Sequence, residues 1–198
     1  MVKRDFDKLF TAQAEANAGK QLLLHCCCAP CSSACLERLK DYFSVTVLFY
    51  NPNIEGGEYE RRKAEIIRFI NETGWADFID CDHDEEDFYC AIAGLENEKE
   101  GGARCVKCFE LRLEKTKEIA EKNGFDFFTT TLTISPMKNA QTINLIGERL
   151  GGEKWVFSDF KKRNGYLRSI ELSKKHCLYR QNFCGCKFSR KQPTQNNL

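Results

Sequence analysis

The chain lacks any long apolar run. Its uninterrupted hydrophobic stretches are only a few residues each, far from the ~20 that a bilayer-spanning helix needs. The opening Met1-Val-Lys-Arg-Asp-Phe-Asp has no apolar stretch of the kind that drives secretion, so a cytoplasmic location is expected. There is no internal repeat and no linker long enough to divide the 198 residues, which argues for one domain over 1–198 with a real core. Also missing is a glycine-rich or Ser-Gly-Gly turn after the first strand, where parallel α/β domains that use ATP seat phosphate. That position holds Cys26-Cys-Cys-Ala-Pro-Cys31 instead. A thiolate loop in place of a phosphate loop points to redox or metal chemistry.

What the chain does have is cysteine. Twelve occur in 198 residues, about 6% and below the range of disulfide scaffolds. In a reducing compartment such a pattern reads as metal-binding or catalytic. The cysteines are grouped: Cys26, Cys27, Cys28, Cys31 and Cys35 near the start, Cys105 and Cys108 in the middle, Cys184 and Cys186 near the end. Adjacent cysteines such as Cys27 and Cys28 rarely bond each other, since a disulfide asks for matched side-chain directions. Charge is uneven as well. Residues 1–153 carry 19 Lys/Arg against 27 Asp/Glu, a net of −8, and residues 154–198 carry 11 against 2, a net of +9. A basic block this local suits a polyanion, nucleic acid first, or else forms a solvated tail.

Strands and helices alternate along the chain. Buried strands are expected at 21–25, 44–50, 76–81 and 125–131, with a fifth at 154–157. Helices are expected at 31–43, 58–73 (stopped by Gly74), from 82 through Leu95, at 105–123 (stopped by Gly124), at 138–150 and near 169–180. This spacing predicts an α/β fold: a Rossmann-like (HUP-like) parallel sheet flanked by helices, with a basic Cys-bearing segment at 154–198 packed on it. Ligands of such sheets sit at the carboxyl ends of the strands, where the first cysteine group falls.

An iron–sulfur cluster needs four converging thiolates. Cys105 and Cys108, on the first turn of a helix whose N-terminus favours anions, supply two. Cys27 and Cys28 at a strand tip are candidates for the others. Zinc also takes four thiolates, and spacing alone does not separate the two metals. Cys184-Gly-Cys186 is a second ligand pair, for which Asp159 is a candidate carboxylate partner. Cys35, Cys81, Cys90 and Cys177 read as ordinary small buried residues. Tyr166, Arg168, Tyr179, Arg180 and Phe183 interleave with lysines, a pattern that suits stacking on unpaired bases or, equally, packing of the tail on the domain.

Six motifs in order resemble the QueH type of epoxyqueuosine reductase over nearly the whole chain: His25-Cys-Cys-Cys-Ala-Pro-Cys31, Tyr50-Asn-Pro-Asn-Ile54 with Glu58-Tyr59, Gly101-Gly-Ala-Arg-Cys105-Val-Lys-Cys108, Phe128-Thr-Thr-Thr-Leu-Thr-Ile-Ser-Pro136 with Lys138-Asn139, Asp159-Phe-Lys-Lys162 with Gly165-Tyr166, and Tyr179-Arg-Gln-Asn-Phe-Cys-Gly-Cys186. The resemblance implies the last step of queuosine biosynthesis, in which epoxyqueuosine at the wobble position of a tRNA anticodon loses its epoxide oxygen. It implies a [4Fe–4S] cluster, a neighbouring second metal ion (iron in preference to zinc), and no cobalamin. Carried over, Cys27, Cys28, Cys105 and Cys108 hold the cluster, and Cys184, Cys186 and Asp159 the second ion. Cys26 and Cys31 match the motif without a ligand role being implied. The expected partners are tRNA carrying epoxyqueuosine, gripped by Lys161, Lys162, Arg163 and Arg180, and an unidentified electron donor. His25 and Tyr179 are the candidate proton donors. The competing readings are a non-catalytic iron–sulfur or zinc protein that binds RNA or passes electrons, and an ATP-using RNA thiolase, which the missing phosphate loop disfavours.

Overall fold

A computed structural model describes residues 4–81 and 83–189. Four strands form its sheet: β1 Gln21–His25, β2 Ser44–Leu48, β3 Asp77–Ile79 and β4 Phe127–Thr130. All neighbours are parallel and the order is β3-β2-β1-β4, with His25 beside Leu48 on one side and Thr130 on the other. Order reverses between β1 and β4, so the ligand crevice of a doubly wound sheet opens at the carboxyl ends of this pair.

Helices cover both faces: α1 Phe6–Ala16, α2 Ala29–Leu39, α3 Gly57–Thr73, α4 Glu85–Ala91, α5 Ala103–Lys122, α6 Ala140–Gly151 and α7 Gly165–Lys175. Alternation along the strands builds two cores. Leu22, Leu24, Val45, Val47 and Phe49 point to one face, where they meet Phe10 and Ala14 of α1, Leu36 and Leu39 of α2, Ile66 and Phe69 of α3 and Leu172 of α7. Leu23, Leu48, Tyr50 and Phe128 point to the other and meet Phe109 and Leu113 of α5, Ile143 and Ile146 of α6, and Trp155. A third, small cluster joins Phe88, Ile92, Cys108 and Cys186.

Three expectations from sequence are revised. Helix α1 replaces an opening stretch without assigned structure. Asp5 caps it by accepting from the N–H groups of Asp7 and Lys8, and Phe6, Phe10 and Ala14 bury one stripe. The fifth strand at 154–157 reduces to a single parallel bridge between Phe128 and Trp155. Buried Asn144 stands in for the missing ladder: its Oδ1 accepts from Trp155 Nε1 at 3.2 Å and from Ser158 N at 3.0 Å, and its Nδ2 donates to Ser158 O at 2.7 Å. The tail helix also starts and ends about four residues earlier than expected.

Candidate metal centre

Strand β1 ends in His25, and the chain turns into α2 through Cys26, Cys27 and Cys28. Cys28 is the N-cap of α2 and provides no side-chain cap, while Pro30 sits in the first turn, where its missing N–H costs nothing. Helix α5 likewise begins at an uncapped Gly102, three residues before Cys105 in its first turn. Both cysteine groups therefore lie at helix N-termini whose free N–H groups favour negative charge.

The sulfurs of Cys27, Cys28 and Cys31 all lie within 4.8 Å of one another. Hydrogen bonds from the Cys28 and Cys31 thiols hold Cys27 well below the usual thiol range against the opposing effect of burial, with Lys138 and Arg112 adding to the shift. The same contacts push Cys28 up to about 12 and raise Cys31. Cys26 is raised by burial, and burial pushes Cys108 up to about 12.

Among the described residues the other cysteines lie outside this three-sulfur group, and of them Cys184 shares its cavity. Cys105 packs against the apolar cluster that contains Cys27 and Cys28, and its sulfur accepts from Gly101 N at 3.2 Å. Cys108 and Cys186 share the small third cluster. Cys27, Cys31 and Cys184 line one cavity of about 830 Å³, whose wall also includes Glu58, Arg62, Lys138, Tyr166 and Arg180. Cys184 reaches it on an irregular segment that also carries Cys186. Arg62 of α3, fully buried, donates to the carbonyls of Cys184 (3.0 Å) and Phe183 (3.4 Å) and pairs with Glu58 at 2.6 Å. Gly185 lies between the two cysteines at φ +125°, and a Cβ there would sit 2.8 Å from Ile54 Cγ1. Only glycine takes that turn against that neighbour.

Two cations, Lys138 (half-buried) and Arg112 (buried), lie beside the sulfurs. Lys138 is raised above the ordinary lysine value because Cys184, Cys27 and Cys31 outweigh the burial that opposes its charge. Arg112 of α5 is buried with Nε on Cys108 O at 3.1 Å and Nη1 on Asn51 Oδ1 at 3.3 Å, while its Nη2 has no hydrogen-bond partner among the described residues. A buried, soft, thiolate-rich set with surplus positive charge and an orphaned donor fits an anionic iron–sulfur cluster.

Comparison with known proteins gives the same direction. The model of the family described as "Epoxyqueuosine reductase QueH" matches residues 22–192. Proteins named epoxyqueuosine reductase QueH are similar over most of this chain. That of Streptococcus pyogenes serotype M1 is 40% identical over 202 residues, 96% of this chain and 79% of its own. That of Haemophilus influenzae is 43% identical over 176 residues, 85% and 71% respectively. That of Thermotoga maritima is 36% identical over 174 residues, 85% and 89%.

The chain belongs to the QueH family.

The remaining candidate residues of this QueH chain fall in distinct settings. His25 is fully buried, with Nδ1 2.8 Å from Thr130 Oγ1 and Nε2 3.1 Å from Tyr50 O, and burial lowers its pKa to about 3. It is neutral and clamps the tips of β1, β2 and β4 together. Tyr179 donates to Glu58 at 3.1 Å, and the Arg61 guanidinium lies 3.4 Å from its ring centroid. Asp159 pairs with Lys161 at 3.1 Å. Lys161 also donates to Thr133 O, and Arg163 is taken up by Asp7 and Thr11. Lys162 is exposed, and Arg180 lines the cavity with its guanidinium 5.3 Å from the Tyr166 ring. Cys35 is buried, Cys81 is partly buried, and Cys90 and Cys177 are exposed rather than core residues. Arg62, Arg112 and Lys138 were missed as site residues in the sequence. The available signal was spacing: Arg112 follows Cys108 by four on one helix face, and Arg62 follows Glu58 by four.

Proposed function

We propose that this chain removes the epoxide oxygen of epoxyqueuosine at the tRNA wobble position, as the last step to queuosine. The observation that carries the reading is the three-sulfur group of Cys27, Cys28 and Cys31 at the carboxyl end of β1, with Cys27 and Cys31 sharing a cavity wall with the distant Cys184, in a chain of the QueH family of oxidoreductases. The reaction consumes two electrons and two protons, opens the C–O bonds of the epoxide to an alkene and releases water. When bound, a [4Fe–4S] cluster held by Cys27, Cys28, Cys105 and Cys108 supplies single electrons, and a second ion, iron in preference to zinc, held by Cys184, Cys186 and Asp159, supplies Lewis acidity and a store for the second electron.

The chain's own residues do the rest. The cavity of about 830 Å³ has room for an unpaired nucleotide. Tyr166 and Arg180 in its wall provide stacking surfaces for a base at ~1–3 kcal/mol each. Lys138 keeps a positive charge beside Cys27 and Cys184. Lys161, Lys162, Arg163 and Arg180 bring positive charge to the tail for the anticodon stem-loop, with Lys162 and Arg180 the least committed to internal pairs. Tyr179, hydrogen-bonded to the cavity residue Glu58, is better placed to relay a proton than His25, whose ring nitrogens are both engaged in the core. The protein works in the cytoplasm with a separate electron donor. Among the described residues no helix is long and apolar enough to cross a membrane.

The test is anaerobic incubation of reconstituted protein with dithionite and epoxyqueuosine-bearing tRNA, followed by nucleoside mass spectrometry. Conversion to queuosine is expected. Bound iron and bound tRNA without conversion would leave only the reading as a non-catalytic iron–sulfur protein.

A further inference from the structure

A buried guanidinium with an unused donor is costly, because the group has left water without recovering all its hydrogen bonds. Arg112 is in that position. Its side chain is 1% exposed, and two of its three nitrogens are spent inside the protein. Nη2 has no hydrogen-bond partner among the described residues. The groups near enough to act on it electrostatically include the thiols of Cys108, Cys184, Cys27 and Cys105, at least one from each of the three cysteine groups. It is also a strut. Nε holds the Cys108 carbonyl on α5, Nη1 holds Asn51 Oδ1, and Asn51 Nδ2 donates to the Cys26 carbonyl at 2.8 Å. Arg112 and Asn51 together therefore link the backbone of the C-x-x-C helix to the backbone of the first cysteine loop.

We propose that Arg112 is a positioning residue for the iron–sulfur centre, fixing the distance between its two cysteine loops and directing Nη2 as a hydrogen-bond donor and positive charge to the cluster's sulfur, which makes the centre easier to reduce. The inference rests on the proposed iron–sulfur reading of the site. Added negative charge on a reduced cluster is stabilised by a nearby fixed cation more than the oxidised form is, and hydrogen bonds to cluster sulfur act in the same sense. Lys138, the other cation beside the sulfurs, is half-buried and lines the open cavity, whereas Arg112 is enclosed by protein. Arg112 is therefore screened less by water and has the stronger hold on the potential.

The test uses the full chain, reconstituted anaerobically, in three forms: wild type, Arg112→Lys and Arg112→Met. Iron and acid-labile sulfide are measured first, then the one-electron midpoint potential by optical and electron-paramagnetic-resonance titration. The methionine variant keeps the length and removes charge and donors. Its reduction equilibrium is expected to fall at least tenfold, equivalent to a 59 mV lower potential for a one-electron couple. Lysine keeps the charge without the guanidinium fork, and its potential should lie between the other two. If the methionine variant does not retain iron, a lysine variant with lowered potential carries the inference. A lysine or methionine variant that holds wild-type iron and sulfide at the wild-type potential overturns it, and shows that Nη2 meets only water. Wild-type protein that binds no iron–sulfur cluster sinks the proposed function instead, so the two failures are distinguishable.

Discussion

The first and last cysteine groups carry the same side chain on opposite kinds of scaffold. Cys27, Cys28 and Cys31 sit on a strand tip and a helix start, held by the β1–β2 and β1–β4 ladders and by a core that runs beneath them. Cys184 and Cys186 sit on an irregular segment. What keeps that segment in place is one buried arginine gripping two carbonyls and one glycine fitted against Ile54. Regular structure distributes the work of positioning over many weak contacts, so no single residue is decisive. An irregular segment concentrates it in a few residues, and each of those should be fragile on its own.

Substitutions can sharpen or break that contrast. The largest effect is expected at a ligand itself. Cys105→Ser should abolish the broad visible absorption of the reconstituted protein and its turnover, and full absorption would remove Cys105 from the ligand set. Next comes Arg62→Met, which strands Glu58 in a pair that is nearly inaccessible on the arginine side. Breaking such a pair costs on the order of 3–5 kcal/mol, so chemical denaturation should show a marked loss of stability. Metal held through Cys184 and Cys186 should go with it while the visible cluster absorption persists. Phe10→Ala is the matched control. It empties a buried site on the face away from α5 and α6 and should cost about 3–5 kcal/mol with metal content unchanged. Equal metal loss in both variants would mean that stability alone, not the Arg62 clamp, governs the last cysteine group. Gly185→Ala should cost ~1–3 kcal/mol through the strained backbone and lower metal content selectively.

The smallest effect concerns the acidic front of the chain against its basic tail. Asp7 pairs with Arg38 at 2.8 Å and Arg163 at 2.9 Å. Desolvation raises its pKa, but the two guanidinium hydrogen bonds prevail and lower it from the ordinary 3.8. Its contribution to stability is therefore present above that value and is lost as the pH falls through the lowered one. Asp7→Asn should remove about 1 kcal/mol at neutral pH and flatten the acid limb of the stability curve. An unchanged limb would show the pair to be inert.

Much of the sheet was legible because its strands are short apolar or β-branched runs closed by polar turns, as in Gln21–His25 and Ser44–Leu48. The cysteine grouping was legible because spacing survives in sequence. Helix α1 was not, because Asp5, Asp7, Lys8 and Glu15 mask the stripe formed by Phe6, Phe10 and Ala14. The fifth strand failed because a buried amide, Asn144, replaces a backbone ladder, and nothing in a sequence marks which asparagine will do so. The basic tail misled in a related way. Arg163 and Arg168 are spent on Asp7 and Glu37 from the acidic part of the chain, so part of the apparent polyanion surface is an intramolecular neutralisation. Arg190 and Lys191 of that block lie outside the described residues. Arg62 and Arg112 were hidden because charged residues are read as surface until a structure shows what they hold.

The most direct measurement is anomalous X-ray diffraction at the iron edge from anaerobically reconstituted crystals. Iron peaks bonded to sulfur from both the Cys27–Cys28 loop and the Cys105–Cys108 turn, within reach of Arg112, are the predicted result. A lone metal ion confined to Cys27, Cys28 and Cys31, with Cys105 and Cys108 carrying no iron, would contradict the account.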